Sequence, residues 1–325
     1  MKHETITHGD VSASLIYGSG TSFSVLSNND FLYDCIVTSP PYFGLRNYCD
    51  NDLQTGYNQT LDEYIDDLVR LFSLAREKLS ESGTLWLNLG DSYATRSPNR
   101  NRINSSHDVQ KRKIPKGLKE KDLIGVPWRV ALALQADGWW LRNDLIWAKP
   151  NPMPSSAKDR FTVSHEYIFM FSKNKRYHFD PDPLRTPLAE ATRQDPRLGS
   201  TGTGRERYGN EGSCPSGFAG ANEKGANPRT IWNLKPNSFN GEHYAVFPEE
   251  LPQRCILAGC PEGGTVLDPF SGSGTTGKMA LKLNRNYIGI DVNESYLETA
   301  MRRVSPLTSD NCHNDDQMEL FGVSK

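Results

Sequence analysis

The sequence lacks the cysteine spacing that marks metal, redox and disulfide-rich proteins. No Cys-x-x-Cys pair occurs among its cysteines, which stand at positions 35, 49, 214, 255, 260 and 312. A zinc ribbon, a thioredoxin-type site and a disulfide framework all require closer or paired cysteines. We therefore expect reduced thiols and no bound metal.

Long apolar runs and a large net charge are also missing. The chain has no run of about 18 uncharged apolar residues, and its first five residues carry no apolar signal segment. Lys plus Arg number 37 and Asp plus Glu 39 among 325 residues, a net charge of −2, which excludes a polybasic protein. With 36% hydrophobic residues the chain can form a sizeable core. We expect a folded cytoplasmic protein without a membrane segment.

Strand-like and helix-like patterns alternate along most of the chain. Thr60 and Glu63 form a capping-box pattern, and Pro127 and Gly138 bracket a second helix. The predicted strands are 33–38, 84–89, 139–148, 165–171, 265–268 and 287–290; the predicted helices are 60–79, 127–138, one ending near 283, and 295–304. This alternation predicts an α/β fold around a mostly parallel sheet, with 139–148 and 165–171 as a strand pair at its edge.

Two segments interrupt the alternation. Residues 92–122 contain nine Lys or Arg against three Asp or Glu, a local net charge of +6. Residues 180–227 are rich in Gly, Pro and Arg. Long irregular stretches inside a compact domain are usually functional or disordered. The polar tail 306–325 is expected to be flexible.

A glycine loop, Asp268-Pro-Phe-Ser-Gly-Ser-Gly-Thr-Thr276, lies between a predicted strand and a predicted helix. Glycines let a ligand approach the backbone, and a helix N-terminus attracts anionic groups. The loop has neither the third glycine of a dinucleotide-binding fingerprint nor the Gly-Lys-Ser/Thr of a P-loop. Asp291 ends the next strand, where a carboxylate can accept both ribose hydroxyls of an adenosine ligand. A tight turn followed by a helix-capping Asp291 is the alternative.

The run Thr38-Ser39-Pro40-Pro41-Tyr42 ends the first predicted strand, because two prolines cannot continue a central strand. Together with the glycine loop, it resembles the catalytic and cofactor motifs of the amino-group DNA methyltransferases that use S-adenosylmethionine. The catalytic motif precedes the cofactor motif by about 230 residues, as in the circularly permuted β group. Further matching runs are Gly9-Asp10, 89–93, 143–149, 164–168 and 243–251, so that the resemblance covers about 8–180 and 229–304.

The resemblance implies a Rossmann-like methyltransferase fold: a doubly wound α/β sheet, mostly parallel, with an antiparallel edge strand and permuted motif order. It implies a discontinuous catalytic domain, 1–180 and 229–305, with a basic loop at 92–122, and a target-recognition region at 181–228. S-adenosyl-L-methionine is the implied cofactor, S-adenosyl-L-homocysteine its product, and duplex DNA the implied partner. Such enzymes are encoded by bacteria, archaea or phages, in some cases beside a cognate restriction endonuclease, and both a monomer and a homodimer fit.

The Ser-Pro-Pro-Tyr run offers the groups that methylation of an exocyclic base amine requires. The lone pair of such an amine is delocalised into the ring, so the amine must be held and repolarised. The Ser39 hydroxyl and the carbonyls of the rigid Pro40-Pro41 turn can accept its hydrogens, while Tyr42 offers a face for stacking the base. The base would be flipped out of the duplex and methylated by direct in-line transfer.

The choice of base follows from the same run. No Pro-Cys nucleophile occurs, which excludes carbon-5 methylation of cytosine. In the families that the chain resembles, Asp or Asn at the first position is commoner in adenine-N6 enzymes and Ser-Pro-Pro-Tyr in cytosine-N4 enzymes. We predict cytosine-N4 methylation of a specific duplex sequence, in a restriction-modification or DNA-protection context, with adenine N6 as the alternative. More remote alternatives are methylation of RNA or of a protein amide, and a non-catalytic DNA-binding module.

The resemblance also assigns cofactor contacts. Asp10 matches the position that meets the adenine amine, Asp291 the ribose, and Asp268 a place near the cofactor ammonium; a plain turn residue is the alternative for Asp10. The surroundings of the methionine part are assigned to Phe270, Ser271, Gly272, Ser273, Gly274, Thr275 and Thr276. Asp91 either faces the pocket or ends a strand.

Basic residues of the two irregular segments are the candidate DNA contacts. Those expected to counter phosphates are Arg96, Arg100, Arg102, Lys111, Arg112 and Lys113. Those expected to contact base edges are Arg193, Arg197, Arg205 and Arg207. A solvated loop and an unstructured insertion are the alternatives. His165, Glu166 and His243 lack zinc-ligand spacing, so packing or backbone hydrogen bonds are expected for them.

Overall fold

The computed structural model describes residues 2–8, 10–18, 25–27, 31–44, 55–56, 59–95, 114–187, 224–236 and 247–305. Its strands are β1 (Lys2–His8), β2 (Val11–Tyr17), β3 (Tyr33–Thr38), β4 (Leu79–Leu89), β5 (Trp140–Ala148), β6 (His165–Ser172), β7 (Ile231–Asn233), β8 (Thr265–Asp268) and β9 (Asn286–Asp291). Its helices are α1 (Leu61–Lys78), α2 (Val126–Ala136), α3 (Glu250–Gly259), α4 (Thr275–Lys282) and α5 (Glu294–Val304). No helix among these residues is long and apolar enough to cross a membrane.

The strands form one nine-stranded sheet in the order β1-β2-β9-β8-β3-β4-β6-β5-β7. The five strands from β2 to β4 in that order run parallel to one another. β1, which sequence analysis did not predict, pairs antiparallel with β2 at one edge. β6 is antiparallel to both of its neighbours, and β7 covers β5 with a short parallel ladder. The predicted β5–β6 pair therefore lies inside the sheet, not at its edge.

Helices cover both faces of the sheet. Alternate side chains of each strand point to opposite faces and so pack against different helices. On β3, Ile36 packs in the core formed with α1 and α2, whereas Cys35 and Val37 pack in the core formed with α3, α4 and α5. All three side chains are at most 1% exposed. This doubly wound arrangement confirms the predicted α/β fold.

The first turn of α1 is fixed by the predicted capping box. The Thr60 hydroxyl accepts the Glu63 N–H at 3.3 Å, and the Glu63 carboxylate accepts the Thr60 N–H at 2.7 Å. Tyr64 follows in the same turn and is fully buried. Its hydroxyl donates to the Pro41 carbonyl at 2.9 Å, so the start of α1 also anchors the turn after β3.

The parallel strands bring their carboxyl ends to one side of the sheet, here named the carboxyl edge, and their starts to the opposite amino edge. Thr38, Leu89, Asp268 and Asp291 are the last residues of β3, β4, β8 and β9. Because β6 runs in the opposite direction, it contributes its first residues to the carboxyl edge, where His165 pairs with the end of β5. The segments with the predicted motifs therefore meet at this edge.

Candidate active site

Asp268 joins the turn after β3 to the loop before α4. Its side chain is 1% exposed. Thr38, at the end of β3, donates its hydroxyl to one carboxylate oxygen at 2.6 Å, and Thr276, in α4, donates to the other at 2.8 Å. The Phe270 N–H donates to the carboxylate at 3.1 Å. These bonds form a clamp between segments that are 230 residues apart in the chain.

The carboxylate of Asp268 is hydrogen-bonded within the protein. Burial raises the pKa of its carboxyl to about 6, against the hydrogen bonds from Thr38 and Thr276, which lower it. Both carboxylate oxygens are engaged by protein donors. Asp268 is therefore placed as an internal link, and its contact with a cofactor ammonium stays a prediction.

The glycine loop depends on two positive backbone angles. Gly272 and Gly274 have φ of 50° and 75°, which L side chains rarely adopt. A Cβ on Gly274 would lie 2.7 Å from the Cβ of Ala300 in α5, whereas the nearest atom to a Cβ on Gly272 would be 3.9 Å away. Gly274 therefore permits the packing of α5, and Gly272 leaves open space above the backbone.

The hydroxyl side chains of the loop point into the protein. Those that are at most 7% exposed are Ser271, Ser273, Thr275 and Thr276. Arg303 of α5 donates to the Ser273 hydroxyl at 2.8 Å and to the Thr275 hydroxyl at 3.1 Å. Phe270 and Gly272 keep part of their surface exposed. A ligand above the loop would thus meet the Phe270 ring and the Gly272 backbone.

Asp291 ends β9 beside this loop and keeps part of its surface exposed. The Gly272 N–H donates to one carboxylate oxygen at 2.8 Å and the Asn293 N–H to the other at 2.9 Å. Desolvation at the end of the sheet raises the pKa of the carboxyl to about 6. Each carboxylate oxygen can accept more than one hydrogen bond, so both retain capacity for a diol. This acceptor capacity fits the two hydroxyls of a ribose.

The structure does not bring Asp10 to this place. Asp10 is exposed in the turn before β2, and β2 then runs to the carboxyl edge, where Tyr17 pairs with Asp291. The seven residues of β2 span about 23 Å, so Asp10 lies at the amino edge. The predicted adenine contact is therefore not formed by Asp10. Gly18, whose N–H donates to the Asp291 carbonyl at 3.3 Å, is the residue that reaches the site from β2.

The Ser-Pro-Pro-Tyr turn is held by Asn88 of β4, which sequence analysis missed. Asn88 is 2% exposed, and its Oδ1 lies 3.2 Å from the hydroxyl oxygens of both Ser39 and Tyr42. Its Nδ2 donates to the Tyr167 carbonyl at 3.0 Å. The amide orientation is thus determined by its partners, since oxygen faces hydroxyls and nitrogen faces a carbonyl.

Glu166, the second residue of β6, completes this network. The Tyr42 hydroxyl donates to its Oε2 at 2.5 Å, and the Lys149 ammonium forms an ion pair with its Oε1. The expectation of packing or backbone bonds is therefore wrong for Glu166, whereas His165 does pack, edge-to-face on Tyr167 at 5.2 Å. His243 lies outside the described residues. No group of three possible metal-binding side chains occurs in the described part of the chain.

The ring of Tyr42 rests on the backbone of Gly90, directly after β4. A Cβ on Gly90 would lie 2.5 Å from Cε2 of Tyr42, so a side chain there would displace the ring. Pro40 is buried, while Ser39 and Tyr42 keep part of their surface exposed. The turn therefore presents its first and last side chains at the carboxyl edge.

Asp91 has a structural role. Its carboxylate accepts the N–H groups of Gly125 and Val126 at 3.1 Å, and so caps the start of α2 from a distant segment. Burial raises its pKa above the ordinary value despite these bonds. Asp91 lies two residues beyond the end of β4, and its place in the pocket stays a prediction.

The ends of the basic loop meet at the carboxyl edge. The Ala94 N–H donates to the Asp122 carbonyl at 2.8 Å, and the Ile124 N–H donates to the Ser92 carbonyl at 2.9 Å. The predicted phosphate contacts lie outside the described residues; they are Arg96, Arg100, Arg102, Lys111, Arg112 and Lys113.

The two ends of the predicted target-recognition region are held together at the amino edge. The Asp180 N–H donates to the Ala258 carbonyl in the last turn of α3 at 2.9 Å. Thr186 and Ala226 form a β-bridge, and the Arg185 guanidinium donates to the Gly225 carbonyl at 3.1 Å. The candidate base contacts within the region lie outside the described residues; they are Arg193, Arg197, Arg205 and Arg207.

The clamp generates a stability prediction. Thr38→Val keeps the side-chain shape but removes one donor to the buried Asp268, so the free energy of unfolding should fall by about 1–3 kcal/mol. The loss should be larger at about pH 8 than at about pH 5, because the carboxyl with a pKa of about 6 is charged only at the higher pH. Urea denaturation at both pH values measures it.

Thr299→Val in α5, where the hydroxyl bonds to the Ser295 carbonyl at 3.0 Å on the helix surface, is the matched control. It should change stability by less than about 0.5 kcal/mol at either pH. Equal losses for the two variants would contradict the clamp.

Known proteins match both the sequence and the fold. The sequence model of the N6/N4 methyltransferase family, described as DNA methylase, matches residues 33–302. The type II methyltransferase M.SmaI of Serratia marcescens is 43% identical over 277 residues, covering 84% of each chain. M.Cfr9I of Citrobacter freundii is 42% identical over 275 residues, covering 83% of this chain and 80% of its own.

Solved structures share the fold. The PvuII cytosine-N4-specific DNA methyltransferase superposes with a TM-score of 0.59 at 19% identity and covers 91% of each chain. The M1.HpyAVI complex with SAM superposes with a TM-score of 0.53 at 18% identity, over 90% of this chain and 98% of its own. With the Ser-Pro-Pro-Tyr turn and the glycine loop joined at one edge of such a sheet, the chain belongs to the N6/N4 family of DNA methylases.

Proposed function

We propose that this DNA methylase transfers a methyl group from S-adenosyl-L-methionine to the exocyclic N4 amine of cytosine in duplex DNA. The observation that carries the proposal is the junction of the Ser-Pro-Pro-Tyr turn and the glycine loop through the buried carboxylate of Asp268. A base held at the turn and a cofactor held at the loop would thereby share one pocket. Family membership supports the reaction class.

The residues at the loop fit the cofactor. Asp291 would accept the ribose hydroxyls, the Phe270 ring would form a wall, and the Gly272 backbone would allow close approach. When bound, S-adenosyl-L-methionine supplies an electrophilic methyl group on a positively charged sulfur, and the sulfur becomes neutral as the methyl leaves. The name of the M1.HpyAVI complex, a structure with the same fold, supports this choice of cofactor.

The directions of the hydrogen bonds within the turn leave the Ser39 oxygen as an acceptor for the base amine. The single proton of the Tyr42 hydroxyl goes to Glu166, which is both charged and nearer than Asn88. The Ser39 hydroxyl therefore donates its own proton to Asn88 at 3.2 Å. Its oxygen lone pairs remain available for an amine hydrogen. Accepting that hydrogen localises electron density on the nitrogen and makes it more nucleophilic.

The remaining parts of the turn hold the base in place. Since the Pro41 carbonyl accepts the Tyr64 hydroxyl, we assign the second amine hydrogen to the carbonyl of Pro40. Tyr42 would stack on the flipped base, with its ring supported by Gly90 and its hydroxyl fixed by Glu166. Orientation of the amine toward the methyl donor is the main contribution of these residues, because direct transfer needs no covalent intermediate.

Cytosine is proposed before adenine because the turn begins with Ser39. The name of the PvuII enzyme, which is cytosine-N4-specific, agrees with this choice. Methylation of adenine N6 is the second candidate. The names of the type II methyltransferase relatives support a restriction-modification context, with a cognate endonuclease as the functional partner.

We assign DNA contacts to both irregular segments. The stem of the basic loop lies at the carboxyl edge beside the turn, so cations of the 92–122 loop would reach phosphates near the flipped base. The 181–228 region would provide target recognition. The bridge between Thr186 and Ala226 supports treating it as an insertion into a catalytic domain formed by 1–180 and 229–305.

Product identification tests the proposal. The purified protein is incubated with unmethylated duplex DNA and labelled S-adenosyl-L-methionine, and the nucleosides are identified by mass spectrometry. N4-methylcytosine is expected. N6-methyladenine would keep the pocket and reaction but reject the choice of base, and a reaction confined to RNA or protein would reject DNA as the substrate.

The Glu166 network generates a second prediction. Glu166→Gln keeps the size but removes the charge that holds the Tyr42 hydroxyl and Lys149, so kcat should fall about tenfold, a loss of about 1.4 kcal/mol in the transition state. Cofactor affinity should be unchanged, because Glu166 does not touch the loop of Asp268. Steady-state methylation and calorimetric titration with S-adenosyl-L-homocysteine measure the two quantities.

Glu81→Gln is the matched control, since Glu81 forms a 2.9 Å ion pair with Lys173 at the amino edge. This variant should retain both kcat and affinity. A Glu166→Gln enzyme that loses affinity in proportion to activity would show that the network supports the fold and not the turn.

The pKa of Asp291 generates a third prediction. Because its carboxyl has a pKa of about 6, it is an ionised acceptor for ribose hydroxyls above that pH and a protonated acid below it. Affinity for S-adenosyl-L-homocysteine should therefore fall about tenfold between about pH 7 and about pH 5. Asp291→Asn should bind weakly at both values with little change. A pH step that persists in Asp291→Asn would assign it to another group, such as Asp268.

A further inference from the structure

We infer that the loop between β5 and β6, residues 149–164, enters the DNA duplex, and that Phe161 fills the space left in the base stack by the flipped base. The inference rests on the proposed function and adds to it the residue that opens the duplex. A flipped base leaves an unstacked gap, and apolar side chains inserted between base steps can occupy such gaps.

The base of this loop is built onto the catalytic turn. The Lys149 N–H donates to the Ser164 carbonyl at 2.8 Å, which closes the loop. The Lys149 ammonium pairs with one oxygen of Glu166, and the other oxygen of Glu166 accepts the Tyr42 hydroxyl. The base of the loop is therefore linked through Lys149 and Glu166 to Tyr42, the proposed base-stacking residue.

A second set of contacts fixes the part of the loop that carries Phe161. The Arg160 guanidinium lies over the Tyr93 ring, 3.8 Å from its centroid, and Asp159 pairs with Lys121 at 2.7 Å. Tyr93 lies three residues after Gly90, and the Tyr42 ring rests on the Gly90 backbone. Phe161 directly follows Arg160, whose contact with Tyr93 brings this part of the loop to the rim of the proposed pocket.

Exposure and charge identify the partner. Phe161 is 96% exposed, although Arg160, the residue before it, is held against Tyr93. Lys158 and Arg160 precede it in the chain, and the stem of the basic loop, which contains Lys121, lies alongside. An apolar ring beside cations is complementary to duplex DNA, which is anionic outside and has an apolar base stack inside.

Phe161 is a better candidate than Met153, the other strongly exposed apolar residue of the loop at 87%. Its flat ring can stack on the neighbouring bases, which a thioether chain does less well. Its position next to Arg160 also ties it to Tyr93, whereas Met153 lies between Pro152 and Pro154 near the other end of the loop.

The test compares duplex and single-stranded substrates. After the target has been located in methylated plasmid DNA, Phe161→Ala is assayed on the target duplex, on the same strand alone, and on a duplex mismatched at the target base. Activity on the duplex should fall about tenfold or more, because flipping costs unstacking energy that the alanine side chain does not offset. Activity on the single strand should stay within about twofold of wild type, and the mismatch should restore most of the loss.

Phe179→Ala is the matched control, because Phe179 is 43% exposed and lies at the amino edge. It should match wild type on all three substrates, and Phe161→Trp, which keeps a flat ring, should retain duplex activity. An unaffected Phe161→Ala, or one that loses activity equally on all substrates, would overturn the inference while the proposed function stands. If wild type methylates no DNA amine on any substrate, the proposed function itself fails.

Discussion

The buried carboxylate of Asp268 is the constraint on which the arrangement of this protein depends. Its desolvation is offset only if donors reach it from both sides, and the donors come from Thr38 at the end of β3 and Thr276 in α4. The pairing of β3 with β8 sets this geometry, since Ile36 lies beside Leu267 in the parallel ladder. A permuted chain can therefore build one pocket from motifs at opposite ends of the sequence.

A second interaction layer acts on the turn itself. The Ser39 hydroxyl donates to Asn88 and the Tyr42 hydroxyl donates to Glu166, whose charge is balanced by Lys149. The reversed direction of β6 is what makes this possible, because a parallel strand would bring its last residue to the carboxyl edge and its second residue to the other. The antiparallel strand thus has a direct role in the site.

Much of the fold and the core of the site could be predicted from sequence because they follow local rules, such as the capping box at Thr60 and the glycine loop. Elements without an amphipathic pattern were missed: β1 is largely polar and exposed, and α3 has Pro252 in its first turn and apolar residues on several sides. Asp10 was misplaced because a Gly-Asp pair does not reveal which end of a strand it precedes. Asn88 and Glu166 were missed as partners of the turn because their contacts depend on the register of β4 and β6, which no single-sequence pattern encodes.

The central claim is that the turn after β3 and the loop after β8 form a single pocket. A crystal structure of the protein with S-adenosyl-L-homocysteine and an unpaired deoxycytidine tests it most directly. The account predicts the ribose on Asp291, the sulfur facing the turn, and the cytosine amine within hydrogen-bond distance of Ser39 while its ring stacks on Tyr42. A cofactor bound away from Asp291, or a cytosine bound away from Ser39, would contradict it.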